Sequence, residues 1–441
     1  MRVVVVGGGL AGLSTAVALG SEGHEVTVLE ARPHLGGRAT SYPLNNAEDE
    51  STTIDNCQHV LLRCCTNLID FYSRLGVENR IHFYRDFYWI EPGGRTSIMR
   101  RGALPAPFHF TGSFAKLRFL SLSDKFAVAN GLLAVRYEYG KRADLDRISM
   151  LDWLREKKQT PRAIERFWRQ VLVSAISEDL ERMAAAHGLQ VFALGFLSKA
   201  DAYEMGVPAV PLAQLYSEEG WANYPTVSIE HRATARELCI EAGSAQGLVL
   251  QDGSERIAGA YVLAIPFERV NALAPGLHLD VSSFTHAPIT GIHLWLDRSI
   301  TDLPHATLLD RTIQWMFNKQ DGRHIQLVVS ASRTLTEMSR ADVIELAMRE
   351  LKEFFPRAAD AKLERAHVVK EVRALLSAAP GMEEKRPGSI TSARNVFLAG
   401  DWTRSGWPPI MEGAVRSGYL AAEAVTAFAG APKKFLKPDL V

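Results

Sequence analysis

Hydrophobic and polar positions along the chain change period several times, and each change marks an element. Residues 2–6 include four consecutive valines, a continuous β-branched run that suits a strand buried on both faces of a parallel sheet. Six residues, four of them glycine, follow from Gly7 to Gly12. Residues 13–19 then carry apolar side chains at helical spacing until Gly20 and Gly23 interrupt them, and Glu25–Glu30 forms a second strand-like run. The first thirty residues therefore predict a complete βαβ unit.

Residues 66–220 predict mostly helix. Leu68, Ile69, Tyr72 and Leu75 recur at three- and four-residue spacing, as do Phe126, Ala129, Leu132 and Leu133, and later Phe167, Val171, Leu172 and Ala175. A strand-rich interlude at 82–99 contains Pro92-Gly93-Gly94, which predicts a hairpin. Strands return at 227–231, 235–241, 247–250 and 260–266, with a turn at Asp252-Gly253. Further strands are expected near 291–296, 312–318 and 325–330, then a helix over 340–355, a last strand at 395–399 and a last helix from about 412 to 428. This is an α/β pattern. It predicts one Rossmann-like nucleotide-binding domain assembled from three chain segments, 1–65, 221–285 and 391–430. A second domain, made of 66–220 and 286–390, would combine a mixed sheet with helices and bind the substrate, leaving 431–441 as a tail.

Composition narrows the class. The chain has 441 residues, 47% hydrophobic and 23% charged, enough apolar content for a large core and too much for disorder. Lys+Arg and Asp+Glu are 50 each, and a net charge of zero argues against binding nucleic acid by phosphate neutralisation. The four cysteines, Cys57, Cys64, Cys65 and Cys239, have no metal-ligand spacing, so no metal is expected, and they make a poor disulfide framework, which implies a reducing compartment. No run of eighteen apolar residues is present and the N-terminus lacks the features of a signal peptide, so a cytoplasmic protein is expected.

Three motifs carry the chemistry. The first is Gly7-Gly8-Gly9-Leu10-Ala11-Gly12, a GxGxxG between a strand and a helix. Gly7 suits the tight turn, Gly9 lets backbone approach a pyrophosphate, and Gly12 lets the helix pack close to the strand, with the phosphates on the helix N-terminus beside Leu10 and Ala11. Glu30 ends the next strand eighteen residues after Gly12, where a carboxylate accepts from a ribose diol, with Ala31 and Arg32 beside it. The second motif, Gly36-Gly37-Arg38, lets the chain fold back over the pyrophosphate and offers a guanidinium to neutralise it. The third is Gly400-Asp401, followed by a helix starting near Met411 and Glu412. Asp401 could accept from a ribityl hydroxyl, and the positive helix end would stabilise charge on a flavin pyrimidine edge.

Together these motifs resemble the flavin amine oxidase and phytoene desaturase superfamily, and the resemblance implies an FAD cofactor, a flavin amine oxidase-like fold, and Ala235 as the residue whose backbone meets the adenine. The stretches 55–62, 167–175, 205–208 with Pro211-Leu212, and 400–403 with 411–418 are more narrowly similar to the hydroxysqualene dehydroxylase family of hopanoid biosynthesis. Cys57 and Arg63 depart from it, standing where many members have glycine. That resemblance implies reduced FAD delivering hydride to an allylic carbon of hydroxysqualene as water leaves, giving squalene. It also implies a long-chain isoprenoid substrate, an electron donor that reduces the FAD, a membrane surface as partner of a peripheral protein, and functional coupling to the enzymes that make hydroxysqualene.

An acid must protonate the leaving oxygen. Asp55 and His59 are the candidates, against plain roles as a loop hydrogen bonder and a packed imidazole, and Glu412 is a third that also suits a helix start. Trp168, Trp402 and Trp407, with Tyr88 and Trp89, are candidate walls of the substrate tunnel, where aromatic faces stabilise an allylic cation. The stretch 108–133 mixes bulky apolar residues with Lys116, Arg118 and Lys125 and suits a membrane-interfacial segment, or an internal helix pair. Two other readings share these motifs: a carotenoid-type desaturase, which abstracts hydride with oxidised FAD, and a non-redox FAD-binding protein.

Overall fold

The computed structural model describes residues 1–46 and 49–440. The expected parallel sheet is present. It runs in the order Val227–His231, Glu25–Glu30, Arg2–Val6, Ala260–Leu263, Val396–Leu398, every pair parallel. Its strands come from three separate stretches of chain. Val3 to Val6 occupy the centre and are buried on both faces, which is why that run carries no polar alternation.

Helices α1 (Leu10–Ser21), α2 (Thr66–Arg74) and α4 (Met411–Phe428) bear on the site, and α3 (Leu122–Glu138) belongs to the helical layer over a second sheet. α1 starts at Leu10, earlier than the apolar periodicity predicts, and so takes Gly12 into its first turn. A Cβ on Gly12 would stand 1.9 Å from the carbonyl oxygen of Gly7, so helix and turn can approach this closely only over glycine. α4 packs across α1 in the same way, since a Cβ at Gly418 would stand 2.3 Å from the carbonyl oxygen of Ala11.

A second, seven-stranded mixed sheet runs Leu363–Leu376, His286–Leu296, His324–Ser330, Trp315–Gln320, His305–Leu308, Phe87–Ile90, Thr96–Met99. The hairpin expected around Pro92-Gly93-Gly94 joins its last two strands. The longest strand, Leu363–Leu376, is absent from the sequence reading. It is an edge strand whose side chains are mostly half-buried or exposed, so the two-residue alternation that marks a strand is missing. The strand expected at 312–318 starts later, at Trp315, after a turn in which Asp310 has φ +61°. The helices between 111 and 197 cover this sheet around a core that includes Trp153, Trp168, Phe167 and Phe192.

Residues 431–440 have no regular secondary structure, yet they lie against α4 and α2 with Phe435 buried. Among the described residues no helix is long and apolar enough to cross a membrane.

Candidate active site

One cavity of about 830 Å³ reaches from the carboxyl ends of the parallel strands to the second sheet. Gly7, Gly9, Leu10, Ala11, Glu30, Ala31, Arg32, Gly36, Gly37, Arg38, Ala235, Gly400, Asp401, Met411 and Glu412 all line it. Gly12 does not; it lies under the turn and sets the packing. Residues far apart in sequence are thus brought to one hollow at the topological switch point of the sheet.

The nucleotide end has the features of an anion cradle. α1 begins after Gly9 with no side-chain cap, so among the described residues no capping side chain covers its first N–H groups at the cavity edge. α4 likewise begins after Ile410 with no side-chain cap on its own N-terminus. Gly36 folds back on the first loop, donating from its N–H to the Gly8 carbonyl at 2.8 Å, and a Cβ at Gly9 would meet nothing nearer than Gly37 Cα at 3.9 Å. Backbone can therefore approach a diphosphate here. The Glu30 carboxylate is held by the N–H groups of Gly8 at 2.7 Å and Arg32 at 2.8 Å, which fixes both oxygens at the cavity edge. Ala233, Thr234 and Ala235 close this end, with Ala233 N–H bonded to the Glu30 carbonyl at 2.9 Å. These groups fit the adenosine diphosphate half of a dinucleotide.

Arg38 and Asp401 are paired with each other: the guanidinium donates to the Asp401 carboxylate and, at 3.0 Å, to the Ala374 carbonyl. The loop around Asp401 is held from below by Arg386. This fully buried guanidinium donates to the carbonyls of Asp401 at 2.9 Å, Trp407 at 2.7 Å and Thr403, and to Glu383 at 2.6 Å. Sequence reasoning missed Arg386, because an arginine bonded to main-chain carbonyls has no motif.

The candidate acids are placed less favourably. Asp55 does not line the cavity. Its carboxylate accepts from Ser41 Oγ at 2.6 Å and Leu212 N–H at 2.9 Å, with Lys319 Nζ 3.6 Å away. It ties one loop to another, which removes it as a proton donor to substrate. His59 does line the cavity, and its Nδ1 donates to the Cys57 carbonyl at 3.0 Å. Burial pushes its pKa down, against the pull of the Cys57 carbonyl, the Asp55 and Glu371 charges and a hydrogen bond to the Arg38 backbone. A ring whose charged form is disfavoured in this way is a poor proton donor. Glu412 is fully buried and its side chain is committed to α2, accepting from Asn67 N–H at 3.1 Å, Asn67 Nδ2 at 2.9 Å and Leu68 N–H at 2.7 Å. Burial pushes this carboxyl up to about 7, against those hydrogen bonds and the nearby Arg416. Its role is to cap a neighbouring helix.

Of the tunnel candidates, Trp402, Trp407 and Trp89 line the cavity. Trp168 does not: it is fully buried in the helical core, donating to Gln159 Oε1 at 2.7 Å and packed edge-on against Phe192. Tyr88 is also off the cavity, on the strand face opposite Phe87 and Trp89. The end of the cavity away from the nucleotide cradle is instead floored by side chains two residues apart on the second sheet, Phe87 with Trp89 and Trp315 with Phe317, the last two stacked at 5.7 Å. Trp315-x-Phe317 is an alternation that the sequence does display. Polar groups interrupt this floor: Gln170, Ser174 and Ser330 line it, and so does Glu371 on the strand the sequence reading lacks.

The two departures noted in the sequence are accommodated. Arg63 points away from the cavity, pairing with Glu204 at 2.8 Å and lying 3.8 Å over the Phe83 ring. Cys57 lines the cavity as a thiol pushed up to about 12 by burial, unreactive and small enough to pass beneath Gly291.

Comparison with known proteins gives the same picture. The chain is 27% identical to a probable zeta-carotene desaturase of Synechococcus elongatus, covering 96% of this chain and 98% of that one. It is 27% identical to a 15-cis-phytoene desaturase of Solanum lycopersicum, covering 96% and 77%. Its fold superposes on an oxidoreductase from Methanosarcina mazei with TM-score 0.72 at 18% identity, over 95% of this chain and 99% of that one. The fold is thus the flavin amine oxidase-like α/β architecture. The family described as flavin containing amine oxidoreductase matches residues 10–426, nearly the whole chain and all but the first turn of the cofactor cradle, and this protein belongs to that family as an FAD-type oxidoreductase.

Proposed function

We propose that the protein is an FAD-dependent oxidoreductase of long-chain isoprenoids. One observation carries the reading: a nucleotide cradle opens without a break into a hollow floored by Phe87, Trp89, Trp315 and Phe317, a surface for an extended hydrocarbon. Bound FAD would supply or accept a hydride equivalent. Segments 1–65, 221–285 and 391–430 would hold it, and 66–220 with 286–390 would hold the substrate. Gly9, Leu10, Ala11, Gly36 and Gly37 would take the diphosphate, Glu30 and Ala235 the adenosine, and Arg38, Asp401 and Met411 the flavin half.

Within this reading, desaturation of a carotenoid-type polyene is the better supported chemistry. Relatives named zeta-carotene and phytoene desaturases match the chain from end to end. His59 fits it too: the ring lines the cavity, and burial disfavours its charged form, so it is a poor acid for protonating a leaving hydroxyl. Reductive dehydroxylation of hydroxysqualene is the second reading. The stretch 167–175, which carries the resemblance to that family, contributes Gln170 and Ser174 to the cavity; Ser174 accepts from Trp315 Nε1 at 2.6 Å and Gln170 Nε2 donates to the Gln314 carbonyl at 3.0 Å, which leaves Gln170 Oε1 as the group an oxygen-bearing substrate would use. In that direction His59 must be protonated before it can act.

Peripheral membrane attachment belongs to the same proposal, with its surface moved. Leu117, Phe119 and Leu120 are core residues, so the anchor cannot be the whole stretch 108–133. The exposed apolar residues are Leu122, Phe126, Leu133 and Tyr137 along α3, joined by Leu104 and Phe108. Exposed Lys116, Arg118 and Arg136 lie among them, a composition that suits an anionic lipid surface.

Two incubations test the function. Oxidised holoenzyme with 15-cis-phytoene should bleach the flavin and yield a more unsaturated product if the protein is a desaturase. Reduced holoenzyme with hydroxysqualene in D2O should yield squalene bearing one deuterium at the carbon that lost oxygen if it is a dehydroxylase. No turnover in either, with FAD bound, would remove the isoprenoid reading.

A further inference from the structure

We propose that Asp439 is a positioning residue for Trp407, and that the irregular segment 431–440 is thereby part of the active-site wall. Trp407 lines the cavity and is almost fully buried. Arg386 holds its backbone through the carbonyl, which leaves the indole free to turn about its side-chain torsions. The indole has one polar atom, Nε1, and it donates to Asp439 Oδ1 at 2.8 Å. The same oxygen accepts from Arg416 Nη1 at 2.8 Å, and the Arg416 guanidinium lies 5.6 Å from the centre of the Trp407 ring. The carboxylate and the cation together define one orientation of the ring.

This works only if Asp439 is itself fixed, and a chain of bonds fixes it. Lys433 N–H donates to Thr426 Oγ1 at 3.1 Å, and the N–H groups of Phe435 and Leu436 donate to Glu423 Oε1 at 2.9 and 3.0 Å. Lys437 N–H donates to Asn67 Oδ1 at 2.8 Å, and Thr66 Oγ1 donates to the Pro438 carbonyl at 3.2 Å. Phe435 is buried beside Tyr419. Residues 433–438 are thus bonded to α4 and then to the start of α2, and Asp439 arrives at the back of the cavity wall as the end of a strap.

The proposal rests on FAD occupying the cavity and on neither reading of the substrate. The test is a double-mutant cycle on holoenzyme with D439A, D439N, W407F and the W407F/D439A pair. Two quantities are read: the FAD dissociation constant of the apoprotein, and the perturbation of the flavin visible bands by squalene as a hydrocarbon probe. D439A should change at least one of them by about tenfold, and D439N, which keeps an acceptor, should return to within about threefold of wild type. In the W407F background, which lacks the indole N–H, the D439A effect should shrink below about twofold. A D439A protein indistinguishable from wild type would overturn the proposal. So would an effect of equal size in both backgrounds, because Asp439 would then act through Arg416 alone. Asp439→Ser, too short to reach the indole, serves in the same cycle if D439A does not fold.

Discussion

Replacing Glu412 by Gln should change stability in a pH-dependent way whose sign follows from the structure. The wild-type carboxyl is fully buried and pushed up to about 7, burial outweighing its three hydrogen bonds from α2. The ordinary value in the unfolded chain is 4.5. Between these values the folded state binds the proton that the unfolded state releases, so stability falls as pH rises through that window. The displacement is worth about 3 kcal/mol, complete above the folded pKa. Glutamine does not titrate, and its NH2 group must face either Leu68 N–H or the two Asn67 donors, leaving a buried donor unpaired at a cost of about 1–3 kcal/mol at every pH. E412Q should therefore be destabilised at pH 5, with a deficit that shrinks towards pH 8 by up to about 3 kcal/mol. Urea midpoints of both proteins at pH 5, 6.5 and 8, followed by flavin fluorescence, measure it. A deficit that grows with pH would refute the reasoning, since it would mean the α2 N–H groups hold the carboxylate ionised throughout.

Glu30→Ala should weaken FAD binding about 10- to 100-fold through loss of a charge-assisted acceptor fixed by Gly8 and Arg32, measured by titrating apoprotein with FAD; unchanged affinity would remove Glu30 from the cradle. Gly12→Ala should cost about 1–3 kcal/mol or more and release FAD, because its Cβ would stand 1.9 Å from the Gly7 carbonyl; a variant with wild-type melting and flavin content would contradict the packing argument. Changing Leu122, Phe126 and Leu133 together to Ser should abolish flotation with phosphatidylglycerol vesicles and leave the fold intact, since all three are exposed. Leu117→Ser should instead lower thermal stability, by about 2–5 kcal/mol for a buried leucine, and vesicle binding lost there alone would return the anchor to the core-facing side.

What the sequence determined by itself is local and periodic. Four adjacent valines specify a central parallel strand, and Gly7, Gly9 and Gly12 with Glu30 specify a dinucleotide turn, because each depends on neighbours within about thirty residues. The motifs at 36–38 and 400–401 were legible for the same reason, and they meet at the cavity as Arg38 and Asp401. Tertiary structure decided which of the chemically capable residues face that cavity. Asp55, His59 and Glu412 are equally plausible acids in a string of letters, yet one is bonded to Ser41 and Leu212, one is a neutral imidazole, and one caps a helix 344 residues away in sequence. Trp168 and Trp407 are alike in sequence, but the first is sealed in a helical core and the second forms cavity wall. Arg386 and Asp439 act through main-chain carbonyls and a single indole N–H, partners set by long-range packing. The edge strand Leu363–Leu376, which brings Glu371 to the cavity, carries no alternation to betray it. Side-chain burial and hydrogen-bond partnership are properties of the folded neighbourhood, and neither is encoded within one turn or strand of the residue concerned.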